Sequence, residues 1–182
     1  MNQVLTGLLQ DHALIQDAFH ALKWILKPLE MEVQISLENA LEFLEDLQFF
    51  IEDSHLAKEE SLLFPWLIAR GIKDRGGPVA AMMAQHIQAR GLLHNLLESL
   101  SEGEENAVVA RHAEKFIACL SEHIRVEEET LFPMAENLMG SSDEKTLAAS
   151  FEKMLHERTD LSSLSNLSQR VEEIRIRYLG RL

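Results

Sequence analysis

The sequence predicts an all-α protein: an up-down-up-down four-helix bundle with an additional C-terminal helical segment. Three observations carry this. Apolar residues recur at three- and four-residue steps through four long segments. The four prolines and eight glycines of the 182 residues sit mostly between those segments. The connections are short, which favours antiparallel neighbours.

The first helix is expected from about Asn2 to Lys27, with Leu5, Leu8, Leu9, His12, Ile15 and Phe19 on one face and Pro28 ending or bending it. A second is expected from Ser36, as N-cap, to about Arg70, with the stripe Leu41, Leu44, Gln48, Ile51, His55, Glu59 and Leu62. Gly71, Gly76, Gly77 and Pro78 interrupt the chain, and Pro78 suits the first turn of a third helix carrying Val79, Met82, Met83, His86, Leu93 and Leu97. After an acidic turn at 101–106, a fourth helix carries Val109, His112, Phe116, Cys119, Leu120, His123, Glu127 and Leu131. Residues 1–140 are read as the bundle. Residues 141–182 are read as a helical segment that covers it or makes a subunit contact, with Ser162–Asn166 as the place where it would break in two.

Composition narrows the function. Seventeen basic against thirty acidic residues give a net charge of −13, which argues against a nucleic-acid or anionic-membrane partner. A single cysteine, Cys119, leaves no internal disulfide. No targeting segment is visible and no apolar run approaches a membrane span, so the expected setting is cytoplasmic.

The second and fourth helices repeat one phrase. His55-Leu-Ala-Lys-Glu59-Glu60-Ser-Leu-Leu63-Phe64-Pro65 returns as His123-Ile-Arg-Val-Glu127-Glu128-Glu-Thr-Leu131-Phe132-Pro133, identical at six of eleven positions with an offset of 68. Such a repeat suggests two helical hairpins related by a pseudo-twofold axis. Within each phrase His and Glu are four apart, so they share a face, and that face is the apolar stripe. Buried carboxylates are costly unless paired or bound to a metal. The other two helices each place one histidine on the core stripe, His12 and His86. Four His and two Glu from four helices suit two iron or manganese ions, each taking two His and a share of both Glu. For any one of these histidines taken alone, a hydrogen-bonded core residue is the better reading. The conjunction of a repeated HxxxE with one further histidine per remaining helix favours metal.

Several residues stay open at this level. Pro65 and Pro133 free the carbonyls of Ser61 and Glu129 and should kink each helix just past the site. Phe64 and Phe132 either wall one end of the pocket or merely pack. Glu60 and Glu128 are partners of the ligands or surface charges. Arg90 pairs with Glu60 or snorkels to solvent. Cys119 reads as a small buried filler before a redox thiol. His112 shares the face of His123 three turns away, and His20, His94 and His156 read as surface or packing residues. A ferritin-like ExxH reading fits Glu52-xx-His55 but fails at Leu120, three before His123.

The pattern His12, His55xxxGlu59, His86, His123xxxGlu127, with Glu-Glu and Leu-Phe-Pro after each HxxxE, resembles the hemerythrin-like, or HHE cation-binding, family over about residues 4–138. The resemblance implies a non-haem di-iron centre with an oxo or hydroxo bridge, with manganese or zinc as substitutes. His12, His55, His86 and His123 become terminal ligands, and Glu59 and Glu127 bridging carboxylates. Oxygen-carrying hemerythrins add a fifth histidine four residues after the third-helix one; Arg90 stands there, so the pattern is closer to bacterial members with four. The function implied is binding of, or reaction with, O2, NO or peroxide. The alternative is an iron or oxygen sensor, or an iron donor, without turnover. The sequence leaves open whether the protein is an enzyme. A homodimer and a separate redox or signalling protein are the remaining partner expectations.

Overall fold

The computed structural model describes residues 2–30, 37–158 and 161–179, all but a few of them helical. Helix α1 spans Gln3–Glu30. Asn2 caps it, its side-chain oxygen accepting the Leu5 amide at 2.9 Å. The helix passes Pro28 and continues to Glu30, beyond the expected end at Lys27: one proline removes one backbone bond without having to stop the helix. Ser36, the expected cap of the second helix, lies outside the described residues.

Helix α2 is one continuous rod built of Leu37–Phe49, Phe50–His55, Leu56–Lys58, Glu59–Leu63 and Phe64–Ala69. Phe50–His55 and Glu59–Leu63 are widened π turns. A loop with left-handed Gly71 and Gly76 follows. Helix α3 spans Pro78–Ser101 and opens on Pro78. Helix α4 joins Asn106–Val126, a π turn at Glu127–Leu131, and Phe132–Leu138. Helices α5, Ser141–Arg158, and α6, Leu161–Leu179, complete the chain. Ser162–Asn166 falls inside α6 rather than breaking the segment; residues 159–160, between α5 and α6, lie outside the described residues. The buried Leu167 and Val171 anchor α6 by packing, which outweighs the weak helix preference of serine.

The first four helices form a closed ring, α1 against α2 and α4, and α3 against α2 and α4. Helix α5 lies on α1 and on the Glu59–Leu63 turn, and α6 runs along α1 and α2. Arg170 ties α6 to Glu42 at 2.9 Å and to Asp46 at 2.5 Å of α2.

Two apolar clusters fill the interior. The larger includes Ile15, Phe19, Leu22, Leu44, Leu93, Phe116 and Leu120. The other gathers Leu5, Leu8, Leu63, Phe64, Met82, Leu131 and Phe132 with Leu147 and Phe151 of α5. His12 lies between Leu8 of one and Ile15 of the other, so a polar belt is held between two dry layers. Phe116 is fully buried and meets Phe19 edge to face, ring centres 5.7 Å apart. Phe116→Ala is expected to cost about 3–5 kcal/mol, read as a lowered denaturant midpoint with little change in slope. Among the described residues no helix is long and apolar enough to cross a membrane.

Candidate metal centre

The belt contains all six residues singled out from the spacing. His12 is 1% exposed, and His55, Glu59, His86, His123 and Glu127 are fully buried. His12 and His55 meet edge to face with ring centres 4.8 Å apart, and His86 and His123 do so at 4.7 Å. The two glutamates lie between these pairs. Glu59 presents Oε1 to His55 Nε2 at 3.2 Å and Oε2 to His86 Nε2, also at 3.2 Å. Glu127 Oε2 lies 3.3 Å from His12 Nε2 and 3.6 Å from His123 Nε2.

The local backbone helps to place them. Both glutamates begin a π turn, in which Phe64 N–H reaches back to the Glu59 carbonyl and Phe132 N–H to that of Glu127. The expected kink at Pro65 and Pro133 therefore takes the form of a widened turn just before each proline. The turn brings each phenylalanine onto a histidine of the neighbouring helix. Phe132 stacks on His12 at 5.4 Å and Phe64 on His86 at 5.5 Å, so both aromatics wall the centre.

Hydrogen bonding orients every imidazole in the same sense. His12 Nδ1 meets Glu128 at 2.8 Å, His86 Nδ1 meets Glu60 at 2.7 Å, His55 Nδ1 lies 3.4 Å from Asp11, and His123 Nδ1 lies 3.2 Å from the Gln85 side-chain oxygen. With each partner accepting an Nδ1 proton, the neutral ring turns Nε2 inward with a free lone pair. The four Nε2 atoms and all four oxygens of Glu59 and Glu127 are buried without a hydrogen-bond partner. Eight orphaned polar atoms in one spot would be expensive, and a cation removes that cost.

The spacing fits. Ligands held about 2.1 Å from one ion lie about 3.0–3.4 Å apart in octahedral or tetrahedral arrangements, close to the separations seen. His12, His55, Glu59 and Glu127 offer one atom each within 4.8 Å of one another, and so do Glu59, His86 and His123. Glu59 belongs to both groups. The donor set of imidazole and carboxylate suits iron, manganese or zinc.

Electrostatics without an ion are frustrated. Burial, then the charge of Glu127, pushes the Glu59 carboxyl well above its usual range. Burial would raise Glu127 too, but the nearby His12 and His123 outweigh it and leave it lowered. Burial lowers His55 and His86, and it takes His123 down to about 3. His12 is the exception: burial opposes its protonation, yet Glu127 and Glu128 raise it.

A family model described as the hemerythrin HHE cation-binding domain matches residues 3–135. The chain belongs to that family. No curated protein and no solved structure matches it in the corresponding comparisons. The matched span takes in all six belt residues of the HHE bundle and ends within the Phe132–Leu138 part of α4.

Other expectations divide clearly in this HHE bundle. Glu60 and Glu128 are partners of ring nitrogens, and Arg90 pairs with Glu60 at 2.8 Å. Glu52 stays outside the belt, bonded to Gln48, so the ExxH alternative has no counterpart. Cys119 is half-buried against the larger apolar cluster, and burial raises its thiol pKa. His112 is half-buried outside the belt, while His20, His94 and His156 are exposed. Sequence reasoning missed Asp11, Lys58 and Gln85. Lys58 is buried and its ammonium donates to Asp11 at 2.6 Å. The one available signal was that Asp11 and Gln85 each immediately precede a core histidine.

Proposed function

We propose that this protein is a non-haem di-iron protein that binds or reacts with a small ligand, O2, NO or peroxide, in a cytoplasmic setting. The observation that carries the reading is the convergence of eight orphaned Nε2 and carboxylate atoms from four helices. His12 and His55 would hold one ion and His86 and His123 the other. Glu59 and Glu127 would be shared, a role supported by the way Glu59 turns one oxygen to each histidine pair. An iron pair supplies redox cycling and open coordination positions to such a ligand.

The chain's own residues set the conditions. Phe64 and Phe132 press on two of the four imidazoles and exclude water from that side. Asp11, Glu60, Gln85 and Glu128 keep the four rings in the tautomer that turns a lone pair inward. Arg90 occupies the place one turn after His86 and is committed to Glu60. Six protein side chains for two ions leave more positions to exogenous ligands than a seventh would.

Anaerobic purification with metal analysis, followed by absorption spectra before and after O2, NO and peroxide, tests the reading. The expected result is about two irons per chain and a spectrum that responds to at least one of these ligands. One tightly held zinc with no such response overturns it. Turnover with a reductant would mark an enzyme; stoichiometric binding alone would mark a sensor or carrier.

A further inference from the structure

The pseudo-twofold that relates α1 and α2 to α3 and α4 is broken at one contact. Asp11 and Gln85 each stand one residue before a core histidine, and each supports the histidine of the next helix, His55 and His123 respectively. Glu60 and Glu128 each stand one residue after a shared glutamate and support His86 and His12. The halves therefore correspond contact for contact. At each histidine pair one carboxylate is tied to a cation: Asp11, on His55, to Lys58 at 2.6 Å, and Glu60, on His86, to Arg90 at 2.8 Å. What differs is the remaining partner at each pair: the carboxylate of Glu128 on His12, the neutral amide of Gln85 on His123.

A carboxylate on Nδ1 makes the opposite nitrogen a stronger donor, and such partners are typically worth about 10–100-fold in metal affinity. An amide oxygen orients the ring without that gain. The donor atoms point the same way. Four residues converge around His12 and His55, namely those two with Glu59 and Glu127, while three converge around His86 and His123. Glu127 lies 3.3 Å from His12 but 3.6 Å from His123, and the second oxygen of Glu59 is 4.0 Å from His123. His123 is thus the least supported of the four imidazoles on both counts.

We infer that the two metal positions are unequal: His12 and His55 hold a resident ion, His86 and His123 an exchangeable one, and Gln85 is the positioning residue that sets the difference. The inference rests on the paired-ion reading above. It makes the protein one that keeps one metal and trades the other with its surroundings.

The test is an anaerobic titration of the full chain with ferrous iron at pH 8, against a competing chelator, for the native protein, Gln85→Glu and Asp11→Asn. The native chain should bind two ions in separate steps, the second weaker by about tenfold or more. Gln85→Glu is isosteric and places a carboxylate where the amide stood, so it should tighten the weaker step about tenfold and leave the tighter one alone. Asp11→Asn should weaken the tighter step. A gain in affinity confined to one step is a readout that a merely structural role for Gln85 would not produce. Two indistinguishable steps in the native chain would overturn the inference, as would a Gln85→Glu variant that moves the tighter step or neither. Uptake of one ion or none would instead overturn the paired-ion reading, and the inference with it.

Discussion

Glu59→Gln is expected to abolish uptake of the metal pair while making the metal-free chain more stable. The side chain is fully buried, and both carboxylate oxygens lack a partner. Burial first, then the negative charge of Glu127, raises its pKa well above the ordinary value. The unfolded chain ionises this group near the usual carboxylate pKa while the metal-free fold retains the proton. Between those two values the folded state binds the extra proton, so stability falls as pH rises through the window. At neutral pH the metal-free protein carries this penalty, and glutamine removes it with almost no change in shape. Relief on the order of 1–3 kcal/mol is expected, with roughly 2–4 °C in melting midpoint per kcal/mol for a chain of this size. The loaded native protein should reverse the order, because an ion bound only to the fold adds stability by mass action. Melting curves of both proteins, with iron and with chelator, check this. A variant less stable than the native chain when both lack metal would contradict the electrostatic account.

The second large effect is in protons. Metal loading in mildly acidic buffer should release protons, and affinity should fall as the pH is lowered. Burial lowers His55 and His86 and brings His123 to about 3, so these three imidazoles contribute little to the release. The protons come from Glu59, raised by burial, and from His12, where Glu127 and Glu128 overcome the cost of burial. Both groups hold their proton more tightly than in the unfolded chain, so acid favours the metal-free form and alkali the loaded one. Glu128→Gln removes one of the two charges that raise His12 and should shrink the release. Calorimetric titration in buffers of different ionisation enthalpy counts the protons directly. A release of none in the native chain, or an unchanged count in Glu128→Gln, would refute the assignment to His12.

How far these features could be read from the sequence depends on the geometry each one needs. The six belt residues were legible because a helix puts positions four apart on one face, and the repeat placed His and Glu there twice, on the apolar stripe. The bundle was legible for the same reason. The ring-orienting residues were not. Asp11 and Gln85 sit one position away from the stripe, about a hundred degrees around the helix, where a polar residue reads as solvent-facing. Only the packing of the neighbouring helix shows that they reach its histidine. Lys58 carries no sequence signal either, and its burial is offset by its ion pair with Asp11. Glu60 and Glu128 lie one residue past the stripe, where spacing does not separate a histidine partner from a surface charge; the contacts with His86 and His12 do. The π turns have no signature in a search for a 3.6-residue period, although Leu-Phe-Pro marks where two of them end. The Ser-rich stretch shows the converse error, a local preference for turns overruled by Leu167 and Val171 in the core.

Those wide turns have a consequence for insertions and deletions. A π turn is a helix carrying one residue more than its α-helical length requires. Deleting Ser61 or Glu129 would let the turn relax to α-helix with the flanking parts still in register, whereas one more residue inserted there has no slack left to absorb it and would swing everything beyond it by about 100°. The histidine and glutamate before the insertion would keep their place. Phe64 would leave His86, or Phe132 would leave His12, and the dry wall of the centre would open although no ligand had changed. The phrase from His to Pro is therefore a unit of bounded length: its eleven residues admit no twelfth.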